Sequence, residues 1–167
     1  MTRKILTVAA ALLCVALIIF IFSNSLDSAA ESTEKSDAVH ETVNNVAKEL
    51  GAKKEITKSF IRQSAHFLEF TALGAAAALT LLFALAPDPR KVLNARLAFS
   101  AAAIPFSALI ALIDEYIQTF SEGRAFDVVD ILTDTSGSAA GSVLTVSVYL
   151  VISFIFCIKR RRSISAE

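Results

Sequence analysis

The sequence has two cysteines, Cys14 and Cys157, and each lies inside an apolar run rather than in a spaced framework. That excludes a disulfide scaffold and a cysteine-ligated zinc site, and leaves both as small hydrophobic side chains. Excess charge of either sign is also lacking. The 16 basic and 16 acidic residues cancel, so no nucleic-acid partner is expected and only the placement of charge along the chain is informative. No serine or cysteine stands in a nucleophile motif, which argues against a catalytic triad. An oxygen-rich site for a divalent ion in the acidic cluster is a less favoured alternative, because no pattern of His, Cys, Asp and Glu has a recognised ligand spacing, so neither a metal nor another cofactor is expected. What the chain has in abundance is apolar residues: 54% of 167, with a mean hydropathy of +0.60. That is more than one soluble core of this size can hide.

Four apolar runs, residues 5–22, 70–87, 97–113 and 135–158, are each free of charge. A helix needs about 20 mostly apolar residues to cross a hydrocarbon core of roughly 30 Å, so each run qualifies once its flanks are added. Lipid leaves every backbone group to be satisfied internally, which requires helices. The expected fold is therefore an all-α polytopic membrane protein with four transmembrane helices. The first run is longer than the roughly 7 to 15 residues of a signal-peptide core, so it reads as an uncleaved anchor. Pro105 removes a backbone donor within the third run and predicts a kink there, with Ser107 as a nearby compensating hydroxyl.

Charge placement orients the chain. Arg3 and Lys4, then Arg90, Lys91 and Arg96, then Lys159 to Arg162 all fall on one side, against Arg124 alone among six acids in residues 114–134. Basic flanks are retained in the cytoplasm, so both termini are expected inside. The organisation is then a first transmembrane helix in 1–22, an extracytoplasmic loop in 23–60, a core with three further helices in 61–158, and a basic cytoplasmic tail in 159–167. Within the loop, Val39, Val43, Val46 and Leu50 recur at helical spacing and predict a short amphipathic helix ending at Gly51. It either lies on the membrane surface as a cover or is a solvated helix packed on its own protein through that stripe.

Polar residues gather at the outer ends of the helices. Arg62, His66 and Glu69 share one face at i, i+4 and i+7, as do Glu115 and Gln118 at i, i+3. Asp127, Asp130, Asp134, Gly137 and Gly141 follow a 3-4-3-4 rhythm, so an acidic stripe runs into a small-residue stripe on one helix. Acids near a helix N-terminus are favoured by its dipole. Gly137 and Gly141, with Ser138 and Ser142, let a second helix approach closely.

The ordered set His66-Phe67-Leu68-Glu69-Phe70, Asp114-Glu115-Tyr116-Ile117-Gln118, Gly123-Arg124, Asp127, Asp130, Gly137 and Gly141 resembles the motifs of the VanZ-like membrane proteins. The likeness spans about residues 60 to 141, and Phe22-Ser23-Asn24-Ser25 is similar to that family's serine-rich exit from its first helix. Gln63, Phe70 and Asp134 stand where a lysine, a tyrosine and an asparagine are usual. The resemblance implies a multi-pass protein of the bacterial plasma membrane and, from the founding member, a link to resistance to the glycopeptide antibiotic teicoplanin. It supplies no reaction.

Two readings of function stay open at this point. In the first, Arg62, His66, Glu69, Glu115, Gln118, Arg124, Asp127, Asp130 and Asp134 form an outward-facing cleft. It binds membrane lipids or a lipid-linked cell-wall precursor, with Arg124 gripping a phosphate or carboxylate in bidentate fashion. In the second, the protein is an enzyme acting on a lipid headgroup, with His66 and either Glu69 or Glu115 as acid and base. Against both stands a structural role, in which the acids pair with Arg62 and Arg124 to orient helix ends. A transport pathway through four spans without an inverted repeat would require a homo-oligomer.

Overall fold

The structure, a computed structural model, describes residues 2–84 and 100–164, and its described residues are helical throughout, joined by short turns. The helices are α1 (Thr2–Ser25), α2 (Ala29–Glu49), α3 (Lys58–Ala84), α4 (Ala103–Gln118) and α5 (Val128–Ile164). Among the described residues, three segments are long and apolar enough to cross a membrane: Arg3–Ser25, Lys58–Ala84 and Val128–Phe156. Arg90, Lys91, Arg96 and the start of the third apolar run lie outside the described residues, as do the side chains of Cys157 and of Lys159 to Arg162.

The described part of the third run is interrupted. Ser100 and Ala101 are helical, Ala102 is a turn, and α4 starts anew at Ala103. Pro105 has no N–H to donate toward the carbonyl four residues back and its ring crowds that carbonyl, so the break falls one turn before it. Ser107 does not compensate: its hydroxyl is buried without a hydrogen-bond partner among the described residues.

The helices α1, α3, α4 and α5 alternate in direction. At one end Arg3, in the first turn of α1, donates from Nε to the Phe83 carbonyl at 2.7 Å and from Nη2 to the Ala84 carbonyl at 3.0 Å. A cation there satisfies the exposed C-terminal carbonyls of α3 and complements its dipole. At the other end Asn24 Nδ2, late in α1, donates to Glu69 Oε1 at 3.3 Å. Polar ends of α1, α3, α4 and α5 therefore meet at one pole of the bundle.

α3 packs most extensively against α5, and glycine makes that approach close. A β-carbon on Gly141 would fall on the carbonyl oxygen of Thr71, one on Gly137 on that of Phe67, and one on Gly74 on that of Ser138. The helices thus touch backbone to backbone, and Ser142 Oγ donates to the Gly74 carbonyl at 3.2 Å across the seam. Around it the core is built from Ile21, Phe70, Leu73, Ala76, Ala77, Ala78, Ala103, Ile110 and Ala111. Small residues predominate, as in helix pairs that associate by packing rather than by escape from water. Many of the larger apolar side chains, among them Leu12, Ile19, Leu144 and Phe154, are exposed on the outside of the bundle. That is the surface a bilayer would cover.

α2 is longer than the valine stripe predicts, because its ends are set by caps rather than by apolar spacing. Ser28 and Glu31 form a capping box at the start. At the end, the N–H of Gly51 donates to the Lys48 carbonyl and that of Ala52 to the Ala47 carbonyl, with Gly51 at φ +87°. This pair of bonds is a Schellman motif, which needs the left-handed conformation that glycine adopts without penalty. Most of the stripe does not pack inward: Val39, Val46 and Leu50 are 49%, 50% and 83% exposed, and only Val43 is half-buried. The inward face is polar instead. Buried Asn44 hydrogen-bonds Ile56, and Asp37 pairs with Lys58 at 2.5 Å. At the other end of α2, Ala29 N donates to the Glu122 carbonyl at 2.9 Å. These ties hold α2 across the polar pole as a roof.

Candidate functional site

Under that roof lie two neighbouring cavities. The larger, about 530 Å³, is lined by Ser32 and Ser36 of α2, Lys58 and Arg62 of α3, Gln118, the 123–127 turn and Asp130. The smaller, about 380 Å³, reaches Asn24 and Ser25 of α1, His66 and Glu69 of α3, and Asp114. Ser32, Ser36, Arg62 and Arg124 line both. The two arginines therefore stand on the partition between the chambers.

Their partners differ. Arg62 Nη2 lies 3.3 Å from Asp130 Oδ2, an exposed guanidinium on a carboxylate that is almost wholly buried. Arg124 forms no ion pair among the described residues. The orienting role weighed above thus fits Arg62, whereas Arg124 lines both cavities without an ion pair among the described residues.

The face shared by Arg62, His66 and Glu69 diverges in practice. Arg62 and His66 turn to α5, where His66 Nδ1 lies 3.4 Å from Asp134 Oδ1, whereas Glu69 turns to Asn24 on α1. At 3.6 residues per turn, positions 66 and 69 are separated by about 60° around the axis, enough to address different neighbours.

Asp127 is the N-terminal cap of α5, its Oδ1 accepting from the Val129 N–H at 2.8 Å. Short acceptors are favoured there because the first amides of a helix lack partners. Its own N–H donates to Glu115 Oε2 at 2.8 Å. Glu115 is completely buried and lines neither cavity, so it tethers the start of α5 from inside rather than facing the cleft. Asp134 is likewise completely buried and off both cavity walls. Gly137 and Gly141 lie lower on α5, in the seam with α3.

The residue that reading along the chain passed over is Asp114. Buried at the end of α4, it accepts from Gln118 Nε2 at 2.9 Å and from the hydroxyl of Ser25, the last residue of α1. The i, i+4 relation of Asp114 to Gln118 was available, but the i, i+3 pair Glu115 and Gln118 masked it. Asp114 also belongs to a convergence that no linear spacing could reveal. Single ligand atoms of His66, Asp114 and Asp134, from α3, α4 and α5, all lie within 4.8 Å of one another.

Outside the bundle core, Glu31 is held below the usual carboxylate range, first by the Ser28 backbone N–H and then by the Ser28 hydroxyl. Its charge belongs to the cap of α2 and not to the cavities.

Neither any curated protein nor any solved structure matches the chain. A family model described as VanZ/LLP1 matches residues 9–155, which takes in most of α1, the roof helix, both cavities and the glycine seam. The chain, with its motif residues gathered at one pole of an all-helical, membrane-type bundle, belongs to the VanZ/LLP1 family.

Proposed function

We propose that this protein is a four-span protein of the bacterial plasma membrane that binds the anionic headgroup of a lipid, or of a lipid-linked cell-wall precursor, in the chamber beneath α2. The termini are cytoplasmic, the roofed pole faces outward, and occupancy of the chamber alters susceptibility to glycopeptide antibiotics of the teicoplanin type. The observation that carries the reading is the position of Arg124, unpaired among the described residues and lining both cavities beside the hydroxyls of Ser32 and Ser36. A planar guanidinium with adjacent hydroxyls suits two-point recognition of a phosphate or carboxylate.

Depth supports the same reading. Counting a hydrocarbon core of about 30 Å back from the end of the apolar run at residue 87, at 1.5 Å per residue, reaches roughly residue 67. The chamber then opens at headgroup level, with His66 at that boundary. The exposed edge Val39, Val46 and Leu50 gives α2 an apolar strip to rest on the bilayer surface.

The test is to purify the full chain from membranes, identify co-purifying lipids by mass spectrometry, and repeat with Arg124→Ala. The wild type should carry a phosphate- or carboxylate-bearing amphiphile that the variant loses. Equal amounts in both would refute the reading. In cells, Arg124→Lys at undiminished membrane abundance should abolish any change in teicoplanin susceptibility. A second reading, an enzyme acting on such a headgroup, is favoured by one observation: His66 lines the smaller cavity with a fully buried acid behind it. It would require turnover of the bound lipid that His66→Gln removes without removing binding.

A further inference from the structure

Behind the wall of the smaller cavity lies an unusual set of polar atoms. Asp134 is completely buried, and neither of its carboxylate oxygens has a hydrogen-bond partner among the described residues. His66 Nδ1, also buried and without a hydrogen bond, lies 3.4 Å from Asp134 Oδ1. Buried carboxylates nearly always find donors, because an unsatisfied one in a low-dielectric interior is costly. Here two acceptor oxygens and an imidazole nitrogen are left over, and a carboxylate oxygen of Asp114 joins them within 4.8 Å.

We propose that His66, Asp114 and Asp134 bind one divalent cation of the first-row transition series. Ligands about 2.0 to 2.2 Å from such an ion lie roughly 3.0 to 3.5 Å from one another along a coordination edge. The His66 to Asp134 separation of 3.4 Å is already an edge of that length. A small side-chain rotation brings in the third ligand. One imidazole with two carboxylates suits manganese, iron or zinc, whereas calcium and magnesium take oxygen alone. Two positive charges would also neutralise two buried acids that form no ion pair with an arginine or lysine among the described residues.

The surroundings fit a site that opens on one side. Gln118 Nε2 and the Ser25 hydroxyl donate to Asp114 and fix its plane, leaving each oxygen a further lone pair. His66 and Asp114 line the cavity of about 380 Å³, which gives an ion its path of entry. Three protein ligands leave a position toward that cavity for water or for an oxygen of a bound molecule, as in open metal sites. The ligands lie 48 and 20 residues apart along the chain, so no spacing motif announces them. The site requires no lipid in the chamber, so it stands or falls apart from the headgroup reading.

The test uses tag-free, full-length protein in detergent, stripped with a chelator and titrated with manganese(II). The wild type should bind one ion per chain, and pulsed electron paramagnetic resonance should show modulation from one coordinated imidazole nitrogen. His66→Gln should remove the nitrogen signal. Asp134→Asn, which keeps the side-chain volume and removes a buried charge, should weaken binding at least about 100-fold while the protein stays monodisperse. Asp127→Asn, at the cap of α5, should bind as the wild type does. A wild type that takes up no ion, an ion without nitrogen modulation, or undiminished affinity in Asp134→Asn would each overturn the proposal. If Asp134→Asn fails to fold, the wild-type nitrogen signal decides alone.

Discussion

Asn44 hydrogen-bonds both backbone groups of Ile56: its amide donates to the carbonyl at 3.0 Å, and its side-chain oxygen accepts from the N–H at 2.8 Å. One side chain from α2 thereby does for the α2–α3 linker what a neighbouring strand would do, and fixes the roof over the cavities. Replacing it by leucine removes both bonds to Ile56, at about 1 kcal/mol each, together with the one its amide donates to the His40 carbonyl. Hydrogen exchange at the Ile56 amide should then speed up by about 30-fold, with little change in the glycine seam. Unaltered protection at Ile56 would show that something else holds α2 in place.

The seam makes its own prediction. In Gly141→Ala a methyl group is forced onto the Thr71 carbonyl, a backbone atom that cannot swing aside. Overpacking of this kind costs about 1 to 3 kcal/mol and should lower the melting temperature in detergent. Gly51→Ala is the control, because its β-carbon meets nothing within 4 Å and only the positive φ of +87° opposes it, at about 1 kcal/mol. A Gly141→Ala protein as stable as the wild type would mean that the helices do not meet backbone to backbone.

The capping box can be followed by titration. A carboxyl whose folded pKa is depressed adds stability above its unfolded pKa, and that contribution fades as pH falls through the folded pKa. Glu31 should therefore support the start of α2 at neutral pH and release it only below the ordinary glutamate range. Carbon-13 NMR of the Glu31 carboxyl should show that low midpoint. Ser28→Ala should move it part of the way back, since the hydroxyl goes and the backbone N–H remains. A midpoint at the ordinary value in the wild type would contradict the cap.

Topology is open to chemical labelling. In a background with Cys14 and Cys157 replaced by serine, cysteine at exposed Glu122 should react with a membrane-impermeant thiol reagent on intact cells. Cysteine at exposed Lys4 should react only after permeabilisation. The reverse pattern would invert the proposed orientation and place the chamber in the cytoplasm.

The apolar runs made the long helices legible, because residues 5–22, 70–87 and 135–158 leave a chain in lipid no other way to satisfy its backbone. The glycine rhythm at Gly137 and Gly141 was legible for the same reason, as a helix face with nothing on it but backbone. α2 was only half visible. Its valines marked a helix, but what holds it is the Ser28 and Glu31 box, the Gly51 turn and Asn44, a set of polar contacts with no hydrophobic period. The site was visible as residue types and not as an assembly. Glu115 was expected in the cleft and instead reaches inward to the Asp127 amide. Asp114, its neighbour on the next face, takes the place beside His66 and Asp134. Which of two adjacent acids faces the cavity depends on the rotation of α4 against its partners. Pairwise packing sets that rotation, and local spacing does not.

The most direct measurement of the central claim is titration of delipidated full-length protein with a phosphatidylglycerol and with a phosphatidylcholine of the same chain length, followed by native mass spectrometry. One anionic lipid per chain should bind in preference to the zwitterionic one. Arg124→Lys, which keeps the charge but loses the planar fork, should erase most of that preference, by about 10-fold or more, while leaving the protein monodisperse. Equal binding of the two lipids by the wild type, or an Arg124→Lys protein that discriminates as the wild type does, would contradict a headgroup site beneath α2.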